Sequence, residues 1–192
     1  MSRCILVLGG ASSGKSVLAE KFVTELDDEL HCGVSYIATG LPQGSTYGDD
    51  EWLARVEAHQ ARRPSNWRTV ELIDPSTLYD VLFDTEQIAM VDSVGSWLAR
   101  LDNLDKVSER LGATLQARRW PTVLVSEEVG MSVHPTTSAG RRFQKILGEL
   151  NQALADIAEH VFFTIAGRAI DLSVPNPAVQ PSPDELDRLE HR

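Results

Sequence analysis

The residues best suited to chemistry stand near the start of the chain. Gly9-Gly10-Ala11-Ser12-Ser13-Gly14-Lys15-Ser16 fits the spacing G-x-x-x-x-G-K-[ST]. The run Cys4–Leu8 before it is apolar and strand-like, and the residues after it follow a helical period, the context such a loop requires. Each residue type has a task. The glycines let the backbone come close to phosphate oxygens, and successive N–H groups at the positive end of a helix face the anion. Lys15 can neutralise charge on the β- and γ-phosphates, and the Ser16 hydroxyl can ligate Mg²⁺. An ordinary glycine-rich turn is the alternative, but the flanks favour a loop that binds a nucleoside triphosphate.

A metal partner is expected at the end of another strand. Ile88-Ala89-Met90-Val91-Asp92 is an apolar run closing on an acid, and Asp92 would hold Mg²⁺ through water. Glu127 and Glu128, after Thr122–Ser126, compete for that role or for general-base work, with a solvated strand end as the plain alternative. No Asn-Lys-x-Asp guanine-reading motif occurs, which argues against a switch GTPase. The chain is short for a motor or helicase and carries no recognisable nucleic-acid module. A metabolite kinase or nucleotidyltransferase becomes the default, and a nucleotide-gated binding protein with little turnover the rival from another class.

The second chemical candidate is His59. Asp49, Asp50 and Glu51 open a helical pattern over 51–62, Arg62 and Arg63 close it, and Pro64 stops it, in the sense that suits a helix dipole. Trp52, Val56 and His59 share one side of that helix. A half-buried histidine completing the apolar face is one reading. The surroundings supply another, because residues 55–68 hold Arg55, Arg62, Arg63 and Arg68 against Glu57 alone. Such a cationic island suits phosphate, and a neutral imidazole within it would attack an α-phosphate.

These residues need elements to position them. Short β-rich runs at Cys4–Leu8, Val34–Ala38, Arg68–Leu72, Ile88–Val91, Val123–Ser126 and Val161–Ile165 alternate with helical patterns at Lys15–Leu26, Glu51–Arg62, Ser76–Phe83, Val107–Arg118 and Ser138–Ala158. That alternation predicts a single α/β domain, a P-loop NTPase-like fold with a mainly parallel sheet and helices on both faces. In the last helix Phe143, Ile146, Leu147, Leu150, Leu154 and Ile157 form one apolar stripe. The segment Gly40–Gly48 reads as a glycine-rich flap. Residues 171–192 hold Pro175, Pro177, Pro181 and Pro183 with five acids against two arginines, and read as a flexible extension of a domain spanning 1–170.

At 192 residues the chain matches one domain of ~100–200 residues. Its formal net charge of −10 gives no global attraction to nucleic acid or anionic membranes. No apolar stretch is long enough to span a bilayer. The apolar run after Arg3 ends at Gly9, short of the ~7–15 residues of an export signal. Two cysteines, Cys4 and Cys32, make no disulfide scaffold, and together these features predict a cytoplasmic protein.

The order of motifs resembles a known family over roughly residues 4–170. It runs Gly9-Gly10-x-x-Ser13-Gly14-Lys15-Ser16, Tyr36-Ile37-Ala38-Thr39, Arg55-x-x-x-His59, Arg63-Pro64-x-x-Trp67-Arg68-Thr69-x-Glu71, Asp92, Glu128-Val129-Gly130 and Leu150-Asn151-Gln152. This is similar to the bifunctional adenosylcobinamide kinase/adenosylcobinamide-phosphate guanylyltransferases of cobalamin biosynthesis. The resemblance implies phosphorylation of the aminopropanol hydroxyl of adenosylcobinamide by ATP or GTP. Transfer of GMP from GTP onto that phosphate then follows through a guanylyl-histidine, with release of pyrophosphate. It implies His59 as nucleophile, and nucleotide contacts from the loop, from Ala38, Thr39 and Gly40, from Gln60, Ala61, Arg62 and Arg63, and from Glu71 and Asp92. A carboxylate at Glu71 would accept hydrogen bonds from a guanine edge. It further implies a homo-oligomer, with a trimer the expected form. Where many relatives carry Ser-Asn-Glu-Val-Gly, this chain has Ser126-Glu127-Glu128-Val129-Gly130, and the nearby Val133-His134-Pro135-Thr136 also departs from the pattern. Both differences fall on the expected cobinamide side. A kinase for another small metabolite, with His59 only structural, is the rival within enzymes.

Overall fold

The computed structural model describes residues 3–40, 63–131 and 133–173. Among these residues seven strands form one sheet: β1 (Cys4–Gly9), β2 (Val34–Ala38), β3 (Arg68–Glu71), β4 (Ile88–Asp92), β5 (Thr122–Glu127), β6 (His160–Ile165) and β7 (Arg168–Asp171). Their order across the sheet is β3-β2-β4-β5-β1-β6-β7. All neighbours run parallel except β7, which returns antiparallel to β6. The described helices are α1 (Lys15–Leu30), α2 (Leu78–Asp84, entered through a 3₁₀ turn at Pro75–Thr77), α3 (Val94–Leu98), α4 (Val107–Ala117) and α5 (Ser138–Ile157).

The apolar runs read as strands are buried on both faces, as parallel sheets require. Alternation divides their side chains between two cores. Ile5, Val7, Tyr36, Met90, Val123 and Val125 pack with Ala19, Val23 and Leu26 of α1. Leu6, Leu8, Ile37, Val91 and Leu124 face the other way, against Leu78, Leu82, Trp97, Leu111, Leu147, Leu150 and Leu154. The stripe on α5 therefore does what its period predicted. Each such fully buried side chain contributes ~1.5–3 kcal/mol.

Two elements escaped the sequence reading. The α3 helix is one short turn whose first residues include a glycine and a serine. It is held by Ser93, whose Oγ accepts from Ser96 N–H, and by the buried Trp97, whose Nε1 donates to Pro75 O at 2.7 Å. The β7 strand is four exposed residues. Ala166 and Gly167, both at positive φ (50° and 70°), make the tight turn that folds it onto β6. Leu172 N–H donates to Val161 O and Val161 N–H to Ser173 Oγ, so residues 171–173, where the acidic extension was expected to begin, lie along β6. The rest of that extension, the helix expected over Glu51–Arg62 and all of the expected flap beyond Gly40 lie outside the described residues.

Candidate functional site

The loop Gly9–Ser16 joins β1 to α1 at the C-terminal edge of the sheet. Gly9 and Ser13 are buried at its root, Gly10, Gly14, Lys15 and Ser16 are half-buried, and Ala11 and Ser12 are exposed at its crown. Gly14 has φ +99°, a left-handed conformation open to glycine, and gives α1 no side-chain cap. Positive dipole and N–H groups at the start of α1 are thus left for an anion. Lys15 Nζ donates to Gly10 O at 3.1 Å, curling over the loop.

The loop is braced from behind by β6 and its turn. Ser13 Oγ and Thr164 Oγ1 are hydrogen-bonded at 2.8 Å, Thr164 Oγ1 also donates to Leu8 O at 3.0 Å, and Gly167 N–H donates to Ser13 O at 3.0 Å. Gly9 owes its identity to this brace, since a Cβ there would lie 2.3 Å from Thr164 Oγ1. Gly10 is different: among the described residues a Cβ there meets nothing within 4 Å.

Asp92, at the end of β4, comes to the loop. Ser16 Oγ donates to Asp92 Oδ1 at 3.4 Å, and Tyr36 OH donates to Oδ2 at 2.6 Å. Burial, with the Asp92 carboxylate beside it, pushes the Tyr36 phenol far above the usual tyrosine range, and Arg63 only partly opposes this. The phenol is therefore a neutral donor that orients Asp92. The Arg63 guanidinium stacks on the Tyr36 ring, 3.4 Å from its centroid. Its Nε is buried without a hydrogen-bond partner among the described residues. A buried polar atom in that state marks a place where an acceptor is wanted. A hydroxyl and a carboxylate meeting at a phosphate loop are hard oxygen donors that suit Mg²⁺, whose remaining positions go to water and phosphate.

Beyond Arg63 a cleft of about 610 Å³ is lined by Arg63, Pro64, Ser65, Trp67, Thr69 and Glu71. Trp67 is buried beneath it in the α1-side core, while Thr69 and Glu71 project from the exposed edge strand β3. Register ties this cleft to the rest: Ala38 pairs with Glu71 on one side and with Asp92 on the other. Thr39 N–H donates to Asp92 O at 3.2 Å and Thr39 Oγ1 to Ser93 O at 2.6 Å. The sheet therefore brings together the loop, Ala38, Thr39, Gly40, Arg63, Glu71 and Asp92. His59, Gln60, Ala61 and Arg62 lie outside the described residues.

Sequence reasoning missed the residue that holds this rim. Arg100 donates through NH1 to Thr39 O (2.8 Å), Gly40 O (3.0 Å) and Leu72 O (2.8 Å), and through NH2 to Ile73 O (2.5 Å). One guanidinium thus ties the segments leaving β2 and β3. An arginine after a short apolar turn gives no local sign of this. Asn151, noted only as part of a motif, is buried on α5; it accepts from Ser126 Oγ at 2.6 Å and donates to Glu127 O at 3.0 Å. His31, His134 and His160 are exposed, at a helix end, in the loop before α5 and at the start of β6.

Comparison with known proteins adds to this geometry. The family profile described as cobinamide kinase / cobinamide phosphate guanyltransferase matches residues 5–172. The chain is 38% identical over 176 residues to a bifunctional adenosylcobalamin biosynthesis protein, CobP, of Pseudomonas aeruginosa, covering 87% of this chain and 95% of that protein. It is 30% identical over 190 residues to the bifunctional adenosylcobalamin biosynthesis protein CobU of Escherichia coli, covering 88% of this chain and 98% of that one. Among solved structures, a KaiC-like protein from Pyrococcus horikoshii OT3 superposes with a TM-score of 0.50 at 15% identity, covering 84% of this chain and 70% of that one, a likeness of fold.

Proposed function

The chain belongs to the cobinamide kinase / cobinamide phosphate guanyltransferase family, and from that premise we propose how its residues divide the two reactions. The protein phosphorylates the aminopropanol hydroxyl of adenosylcobinamide and then transfers GMP from GTP to that phosphate, giving adenosylcobinamide-GDP and pyrophosphate. The observation that carries the division of labour is the continuous line Ser16–Asp92–Tyr36–Arg63, which joins the phosphate loop to the cleft ending at Glu71.

In this reading the N–H groups of Gly9–Ser16 and Lys15 Nζ hold the β- and γ-phosphates of ATP or GTP, Lys15 offsetting charge as the γ-phosphoryl moves. Ser16 Oγ and Asp92 would hold Mg²⁺, which when bound neutralises phosphate charge. Tyr36 keeps Asp92 turned toward Ser16. Arg63, with its unsatisfied Nε, receives a phosphate oxygen. Ala38, Thr39 and Gly40 line the rim, Glu71 accepts from the guanine edge, and Gln60, Ala61 and Arg62 complete the nucleotide contacts. His59 is the nucleophile: an imidazole nitrogen attacks the α-phosphorus of GTP, the bond to the β-phosphate oxygen breaks, and pyrophosphate leaves. A phosphate oxygen of adenosylcobinamide phosphate then displaces histidine from the guanylyl phosphorus. Splitting the transfer in two requires only one acceptor to be in place at each displacement.

The same reading takes residues 1–170 as one catalytic domain, with the family match ending at 172 in support. It takes the expected extension, apart from residues 171–173 that lie along β6, as an appendage, the assembly as a homotrimer, and the compartment as the cytoplasm, where two unpaired cysteines are at home. No described helix is long and apolar enough to cross a membrane. The deciding experiment labels the protein with α-³²P-GTP and Mg²⁺ and then denatures it. Acid-labile, alkali-stable label is expected on the wild type and none on His59→Ala. An unlabelled wild type under turnover conditions refutes the guanylyl-histidine.

A further inference from the structure

The two half-reactions place unequal demands on proton transfer. In the first, the acceptor is a neutral alcohol whose proton must leave as its oxygen bonds to phosphorus. In the second, the acceptor is a phosphate monoester, already anionic at neutral pH because its second pKa is about 6. A general base is therefore needed for phosphorylation and not for guanylyl transfer.

Three carboxylates stand at the strand ends beside the loop, and the structure separates them. Asp92 is engaged at both oxygens, by Ser16 and Tyr36. Glu128 turns back on its own turn, where Oε1 accepts from Gly130 N–H at 2.7 Å, while its main-chain N–H donates to Gly9 O. Glu127 is built differently. Its Oε2 accepts from Gly95 N–H at 3.0 Å, in the first turn of α3. A Cβ on Gly95 would lie 2.1 Å from that oxygen, so the carboxylate rests against a bare Cα. Its main chain is also fixed, since the Glu127 carbonyl accepts from the buried Asn151. Register puts Glu127 opposite Gly9, the first residue of the phosphate loop, and two residues beyond Val125, the partner of Asp92. The residue remains half-buried. A carboxylate with one oxygen pinned, its backbone locked and its position between phosphate and metal strands has the build of a base.

We propose that Glu127 takes the proton of the acceptor hydroxyl in the phosphoryl-transfer half-reaction. The alcohol oxygen bonds to the γ-phosphorus as its proton passes to the Glu127 carboxylate. The bond from that phosphorus to the β-phosphate oxygen breaks, its electron pair leaving on the nucleoside diphosphate, and the proton is returned to solvent. This assignment rests on the function proposed above.

Glu127→Gln tests it while keeping the fold, because the carboxamide oxygen still accepts from Gly95 N–H. The variant should melt with the wild type. Its kcat for phosphorylating adenosylcobinamide should fall about 10²–10⁴-fold, the range of a lost general base, and the acidic limb of its pH–rate profile should vanish. Transfer of GMP from GTP to preformed adenosylcobinamide phosphate should stay within about twofold, on the same reasoning that this acceptor carries no proton to remove. Glu127→Asp, which keeps a carboxylate on a shorter stem, should recover part of the kinase rate. An equal fall in both half-reactions, or an unchanged kinase rate with its acidic limb intact, overturns the proposal. A wild type that transfers GMP but phosphorylates no cobinamide overturns the parent reading of the kinase step, a result distinct from any effect of Glu127.

Discussion

Gly9 and Gly10 adjoin in sequence and both fit the demand that glycine lets a phosphate come close, yet they stand in opposite surroundings. Alanine at position 9 would set its Cβ 2.3 Å from Thr164 Oγ1, 2.4 Å from Ser13 Oγ and 2.8 Å from Thr164 O. Two of those neighbours are hydroxyls bonded to each other, and the third is main chain of β6. Relief requires moving β6 off the loop or breaking the Ser13–Thr164 bond. Overpacking costs ~1–3 kcal/mol and the lost buried hydrogen bond adds ~1 kcal/mol, so Gly9→Ala should destabilise by about 2–4 kcal/mol. In a domain of this size each kcal/mol lowers Tm by ~2–4 °C, and the melt should fall by about 4–16 °C. Alanine at position 10 meets nothing within 4 Å among the described residues, so its ligand-free stability should stay within ~0.5 kcal/mol of wild type.

The ligand response should reverse that order. The open side of Gly10 is where a triphosphate would approach, so a methyl there competes with phosphate and not with protein. A tenfold loss of affinity removes ~1.4 kcal/mol of ligand stabilisation at saturating GTP. Thermal melts of both variants, with and without Mg²⁺ and GTP, therefore distinguish a glycine kept for the fold from one kept for the ligand. If Gly9→Ala melts with the wild type, or if Gly10→Ala loses as much ligand-free stability as Gly9→Ala, the steric account of the loop is wrong.

Arg100→Lys removes the fork that reaches four carbonyls and leaves the segments after β2 and β3 without their shared donor. A loss of at least ~2 kcal/mol in urea unfolding and weaker GTP binding by fluorescence titration are expected. Burial raises the Cys4 thiol from an ordinary 9.0 to about 12, so the folded state keeps its proton where the unfolded chain gives it up. The stability this gives is whole below pH 9 and drains away as pH rises from 9 toward 12; Cys4→Ala should show a shallower alkaline fall in its urea midpoint.

What the sequence disclosed follows from what each feature depends on. The strands at Cys4–Leu8 and Ile88–Val91 read clearly because both their faces are covered, so burial leaves an unbroken apolar run. The phosphate loop reads clearly because its chemistry is local. β7 did not, since its four exposed residues owe their form to hairpin bonds with β6 rather than to any burial pattern. Nor did α3, where Val94, Trp97 and Leu98 are all buried but five residues are too few to show a helical period. Within the site, Tyr36 read as a strand residue at the head of a family motif, and Arg63 as part of a cationic island and, through the resemblance, as a nucleotide contact. The stack between them and the bond from Tyr36 to Asp92 span separations of 27 and 56 residues that no local pattern encodes.

The strand order carries the last step. β5 lies between β1, which bears the phosphate loop, and β4, which ends in Asp92. At ~4.8 Å per strand, Asp92 starts about 9–10 Å from the loop strand, yet Ser16 Oγ lies 3.4 Å from its carboxylate. The gap closes because α1 lies across this face of the sheet, packing Ala19 and Val23 in the core that holds Met90 of β4 and Val123 and Val125 of β5. Its second residue, Ser16, is thereby carried toward β4. The floor under that crossing is the end of β5, and the residue there is Glu127. The topology that brings one hydroxyl to one carboxylate thus also puts the residue proposed above as the base at the same end of the sheet, on the strand between them.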